Sequence, residues 1–93
     1  MSLKFEWDPA KARANARKHG VAFEEAASAF GDPLSLTIPD PSSRALEHRF
    51  AQLGVSDRHR LLVVIHVERG DTLRLISARP ATRGERRKYE EGT

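Results

Sequence analysis

Cysteine is absent from the 93 residues. Disulfides, thiolate nucleophiles and cysteine-based metal sites are therefore excluded, and the chain suits a reducing compartment without requiring one. Long apolar runs are missing too. The longest, Leu61–Ile65, falls far short of the roughly 20 residues that a membrane-spanning helix needs. The opening residues, Met1-Ser2-Leu3-Lys4-Phe5-Glu6-Trp7-Asp8, lack the apolar core of a secretory signal. A soluble, cytoplasmic protein with no membrane partner is expected. Metal-cage patterns are also lacking: His19, His48, His59 and His66 are scattered and no carboxylates cluster. Neither a metal nor another cofactor is expected.

What is present suffices to fold. The chain is 39% hydrophobic and 31% charged, and its apolar residues come in runs, which places it outside the disordered class. Its length implies one domain, 1–93, whose thin stability margin a bound partner could supplement. Sixteen Lys and Arg against 13 Asp and Glu give a net charge of +3. That excess is modest, but the cations crowd into two segments, Lys11, Arg13, Arg17 and Lys18, then Arg79, Arg83, Arg86, Arg87 and Lys88. Such clusters focus a positive potential that draws phosphate backbones. Solvated helix faces are the plainer alternative.

Residues 3–7 alternate as a half-buried strand. Asp8-Pro9 then opens a helix through His19, which Gly20 stops. A second short helix begins near Phe23, with Glu24-Glu25 at its positive end, and breaks at Gly31-Asp32-Pro33. Strands are predicted over Leu34–Ile38, Leu46–Leu53, Leu61–Arg69 and Thr72–Arg79, the last two joined by a tight Gly70-Asp71 turn. Pro80 ends the final strand, and Thr82 caps a polar C-terminal helix running to Glu91. The order β-α-α-β-β-β-β-α implies an α+β fold: an antiparallel sheet of four to five strands, an N-terminal helical hairpin and a C-terminal helix.

A tight turn at Gly70-Asp71 would pair Val67 with Arg74, Ile65 with Ile76 and Val63 with Ala78, an apolar face expected beneath the helices. The opposite face would carry His66, Glu68, Ser77 and Arg79. In the strand before it, Leu46, His48, Phe50 and Gln52 point one way, and Glu47, Arg49, Ala51 and Leu53 the other.

In combination these segments resemble the BrnT toxin family. The resemblance rests on Phe5-Glu6-Trp7-Asp8-Pro9, Lys11, Asn15, Lys18-His19-Gly20-Val21, Phe23-Glu24-Glu25-Ala26 and Phe30 with Asp32-Pro33. It continues through Glu47-His48-Arg49, Gly54, Leu61-Leu62-Val63-Val64, Glu68-Arg69-Gly70-Asp71, Leu75-Ile76-Ser77-Ala78-Arg79 and Glu85-Arg86-Arg87-Lys88-Tyr89-Glu90. It implies a RelE-like ribonuclease toxin of a bacterial type II toxin–antitoxin system that cuts RNA to halt translation. The implied partner is a BrnA-like ribbon-helix-helix antitoxin, in a 2:2 assembly that contacts operator DNA only through the antitoxin.

Metal-free RNA cleavage needs a base for the ribose 2′-OH, an acid for the departing 5′-oxygen and cations to steady the phosphorane. Arg79, at a strand end, is the first candidate for phosphate stabilisation, and the resemblance to RelE also favours an arginine there. An ion pair with a helix carboxylate is its alternative. Arg49 and Arg60 are secondary candidates, with surface solvation as their alternative. Glu47 or His48 could serve as base, with His66 as a third candidate, and Tyr89, the sole tyrosine, could orient, protonate or stack on a base. Lys11, Lys18 and His19 on the first helix, with Arg60, His66 and Arg86, are candidate RNA-binding residues. Asn15 could satisfy a loop carbonyl instead, and Trp7 and Phe23 read as core. The competing function is a non-catalytic module that binds nucleic acid or docks the antitoxin in autoregulation.

Overall fold

The computed structural model describes residues 3–40 and 48–92. Its elements are β1 (Lys4–Glu6), α1 (Pro9–His19), α2 (Phe23–Ser28), a 3-10 turn (Ala29–Gly31), β2 (Leu36–Pro39), β3 (Arg49–Val55), β4 (Leu61–Arg69), β5 (Thr72–Pro80) and α3 (Arg83–Glu91). Local chemistry sets their ends. Asp8 accepts the Ala10 N–H at 2.8 Å and so caps α1. Gly20, at φ 71°, closes that helix by returning its N–H to the Ala16 carbonyl. β2 begins later than the alternation at Leu34 suggests. The Asp32 carboxylate holds the Leu34 N–H at 2.9 Å, and the Asp32 carbonyl takes the Ser35 N–H at 3.0 Å, so these residues turn first. β3 runs past its expected end at Leu53 to Val55; the expected start at Leu46 lies outside the described residues.

The strands form one sheet in the order β1-β5-β4-β3-β2. β2 to β5 is an antiparallel meander, but β1 runs parallel to β5, with Phe5 opposite Leu73. The sheet is therefore mixed, which corrects the antiparallel expectation. α1 and α2 form the crossover that lets the first strand lie alongside the last in the same direction.

Each face of the sheet has its own apolar cluster. On one, Val21, Phe23, Ala26 and Ala29 of the helical layer pack on Leu62, Val64, Leu75 and Ala78. Trp7 meets Phe23 edge-on at 5.8 Å, stapling the start of α1 to this core. On the other, Ala51, Leu53, Leu61 and Val63 pack beneath Tyr89 and Ala81. Gly54 lets β3 pass under the 3-10 turn: a Cβ there would stand 2.5 Å from the Ala29 carbonyl oxygen.

The β4–β5 hairpin follows the predicted register from Arg69/Thr72 to His66/Leu75, where it slips. A bulge leaves Ile76 without a partner, and beyond it Ile65 faces Ser77, Val64 faces Ala78 and Val63 faces Arg79. The predicted pairs Ile65–Ile76 and Val63–Ala78 are thus replaced. The faces are exchanged as well. Leu62, Val64 and Leu75, not Val63 and Ile65, lie under α1 and α2.

Asn15 is the polar pivot of that layer, only 6% exposed. Its amide donates to the carbonyls of Val21 at 3.0 Å and Ala78 at 2.8 Å, and accepts the Ala78 N–H at 3.0 Å. One side chain thus stands in for a neighbouring strand on the free side of β5. Asn15→Ala should cost about 2–4 kcal/mol, because it strands several buried backbone groups at once. Urea denaturation measures it.

Candidate active site

Arg79 sits on the β5 face that α3 covers. Its Nη1 and Nη2 donate to Glu85 Oε1 and Oε2, both at 2.8 Å, and Nη1 also reaches the Pro80 carbonyl at 3.3 Å. Glu85 owes its place to the helix start. Oε1 accepts the Thr82 N–H at 2.8 Å, and Thr82 Oγ1 accepts the Glu85 N–H at 3.2 Å, a capping box. The Arg79 fork, outweighing partial burial, lowers the Glu85 carboxyl to about 2. The same hydrogen bonds raise the Arg79 pKa. The pair uses the terminal nitrogens and leaves the Nε edge of the guanidinium without a bond among the described residues. Beside it opens a pocket of about 280 Å³, walled by Ile38, Ala51, Leu53, Val63 and Ile65 and edged by Asp40, Arg79, Glu85 and Lys88.

Arg49 begins β3 opposite Val67, and its carbonyl accepts the Asp40 N–H at 2.9 Å, which brings the strand start beside this pocket. His48 precedes it and is exposed, whereas Glu47 lies outside the described residues. Tyr89 also covers the α3 face, but its hydroxyl donates to Asp32 Oδ2 at 2.6 Å, an oxygen that also takes the Val55 N–H. That bond, chiefly, raises the phenol's pKa, while Tyr89 together with backbone N–H groups lowers that of Asp32 despite its burial. Lys11, Lys18 and His19 line a shallow groove of about 230 Å³ with Ile76 and Ser77. Arg86 is exposed on α3.

Two of the RNA-binding candidates prove structural. His66 is 1% exposed, beneath the helices between Phe30 at 4.9 Å and Phe50 at 6.0 Å. The bulge and the exchanged faces remove it from Arg79. Arg60 donates from Nε to Glu25 Oε2 at 2.9 Å and from Nη2 to the Gly20 carbonyl at 3.0 Å, and also bridges Glu25 Oε1. Ser56 completes this buried knot at 2.7 Å. The Arg60 hydrogen bonds hold the Glu25 carboxyl below its ordinary value against the opposing effect of burial. Arg60 therefore ties the α1–α2 turn to the β3–β4 loop. A larger cavity, about 410 Å³, adjoins this knot, but Glu24, Glu25 and Asp57 line it with Arg58, and so many carboxylates repel a phosphodiester.

The family description "Ribonuclease toxin, BrnT, of type II toxin-antitoxin system" matches residues 7–85. The chain belongs to the BrnT family. The crystal structure of the Brucella abortus ribonuclease toxin BrnT superposes with a TM-score of 0.59 at 26% identity, covering 88% of this chain and 100% of that one. Comparison with curated proteins gives no match. The BrnT match includes Arg79 and Glu85 and stops short of Tyr89.

Glu85, Lys88 and Asp40 were not singled out by the sequence as site residues. Glu85 had a signal, since Thr82-x-x-Glu85 spells a capping box one short link after Arg79. Lys88 was legible only as a member of the second basic cluster and Asp40 not at all, because they come together only when α3 packs on the sheet. Among the described residues, no three His, Asp or Glu side chains are grouped so as to hold a metal ion.

Burial chiefly lowers the pKa of His66 below its ordinary 6.5, against smaller opposing effects of the Val64 carbonyl and Glu68. The unfolded imidazole therefore takes up a proton at higher pH than the folded one. Stability from this site is complete above about pH 6.5 and is lost as pH falls toward the folded value. The thermal midpoint should drop by several degrees between about pH 7.5 and 5.5, and His66→Phe should flatten that slope.

Proposed function

We propose that this chain is a metal-independent endoribonuclease toxin that halts translation and is silenced by a BrnA-like ribbon-helix-helix antitoxin in a 2:2 complex. Operator DNA is met only through the antitoxin. Membership of a ribonuclease toxin family supports the activity. The observation that carries the mechanism is a guanidinium braced by Glu85 at the rim of a pocket, with its Nε edge unbonded among the described residues.

In this reading the ribose 2′-oxygen attacks the adjacent phosphorus as its proton passes to a base from the Glu47-His48 segment. The bond from phosphorus to the 5′-oxygen breaks and that oxygen takes a proton from water, leaving a 2′,3′-cyclic phosphate and a 5′-hydroxyl. Arg79 meets the charge that builds on the phosphorane, assisted by Arg49 and Lys88. Bracing by Glu85 matters because a charge-stabilising group acts best when it need not reorganise during the reaction. Tyr89, held by Asp32 with its proton retained, orients α3 over the site. Lys11, Lys18, His19 and Arg86 guide flanking RNA.

One observation favours a second reading. The fork of Arg79 is already taken by Glu85, as in a guanidinium that merely anchors α3 to a docking module. Purified protein incubated with RNA and a chelator separates the two. Cleavage is expected to yield fragments ending in cyclic phosphate, and Arg79→Ala should slow it about 10²–10³-fold while antitoxin binding is retained. Intact RNA, or equal loss of antitoxin binding in Arg79→Ala, supports the docking module.

A further inference from the structure

We infer that the pocket under α3 is a nucleobase subsite, which takes an unstacked base of the RNA strand whose phosphate Arg79 holds. The inference rests on the reading of Arg79 above and adds to it the substrate feature recognised. Three facts carry it: the pocket's wall chemistry, its span and its charge.

Ala51, Leu53 and Val63 form an apolar floor, each less than a tenth exposed, and Ile38 and Ile65 flank it. They come from three adjacent strands and present the level apolar surface on which a flat ring lies well, whatever its edge chemistry. A core with no occupant would be expected to close over such a floor, since interiors pack without voids. Here α3 bridges it instead with side chains that are at most half-buried, Tyr89 among them, and leaves a cavity of about 280 Å³.

The pocket reaches from Asp40, which follows β2, to Arg79 on β5. Three strand spacings separate those strands, roughly 14 Å. A nucleotide with its phosphate at the arginine and its base along the floor spans this gap once the arginine side chain reaches inward. Polar groups stand only at the ends and on the roof: Arg79, braced by Glu85, and Lys88 match a phosphate, and Asp40 closes the far end. An aliphatic side chain of a protein partner would fill the floor but offer nothing to Lys88 or to the Nε of Arg79, the guanidinium nitrogen that Glu85 leaves over.

The test uses the full-length chain and two probes: a dinucleotide with a 2′-deoxy residue at the cleavage position, and its abasic counterpart carrying the same phosphate. Methyl NMR of Ile38, Leu53, Val63 and Ile65 reads occupancy directly. The dinucleotide should shift these methyls and the abasic probe should not. Ala51→Leu, which fills the floor, should weaken dinucleotide binding about tenfold or more and leave abasic binding unchanged. The thermal midpoint of that variant shows that it is folded, and the wild-type methyl shifts stand independently of it. Equal affinity for both probes, or unmoved methyls at saturating dinucleotide, overturns the subsite. So do methyl shifts produced by an antitoxin peptide and not by the dinucleotide. Arg79→Ala keeps the two claims apart. If it weakens both probes alike while the methyls never move, the phosphate reading stands and the subsite falls. If base-dependent shifts persist and neither affinity changes, the subsite stands and the phosphate role of Arg79 falls.

Discussion

One extra residue in β5 decides what each face of this protein can do. Strict alternation from Leu75 would put Arg79 on the same side as Leu75, beneath α1 and α2, and Ala78 on the other. The bulge at Ile76 reverses this, so Leu75 and Ala78 both face the helical core and Arg79 emerges beneath α3. Burying a guanidinium under the helices would cost several kcal/mol without a partner, so packing selects the bulged register. Asn15 secures it by holding both backbone groups of Ala78. The helical layer and the candidate site are thus linked through two adjacent residues of one strand.

Much of the chain was legible because local signals agreed. Asp8-Pro9, Gly20 and the Thr82 cap marked helix ends, Gly70-Asp71 marked the hairpin, and Trp7 and Phe23 read as core, as the structure finds. The bulge was not legible, since Ile76 is an ordinary strand residue and alternation looks unbroken around it. That single omission put Arg79 on the same face as His66, and the apolar look of Val63, Ile65 and Val67 separately misled the choice of which face the helices cover. The parallel placement of β1 was hidden for another reason: a three-residue strand carries no record of its partner. Within the site, Arg79 and its alternative as half of an ion pair could both be read from sequence. The pocket could not, because its walls come from four strands and a helix.

Arg60 and Arg79 show how similar pairs diverge with their surroundings. Glu25 is buried, and Arg60 is fastened to it and to the Gly20 carbonyl, while Ser56 fills out the knot. Nothing there can be exchanged for a ligand without parting the β3–β4 loop from the helices. Arg79 and Glu85 are both about a third exposed, and their partner surface is a helix with no buried residue. The first arrangement holds the fold; the second leaves a cation beside open space.

Glu85 Oε1 receives the Thr82 N–H and the Arg79 guanidinium together. A single atom therefore belongs both to the first turn of α3 and to the brace on the arginine. Until that turn winds, the arginine has no fixed bearing, even where the sheet around it is complete.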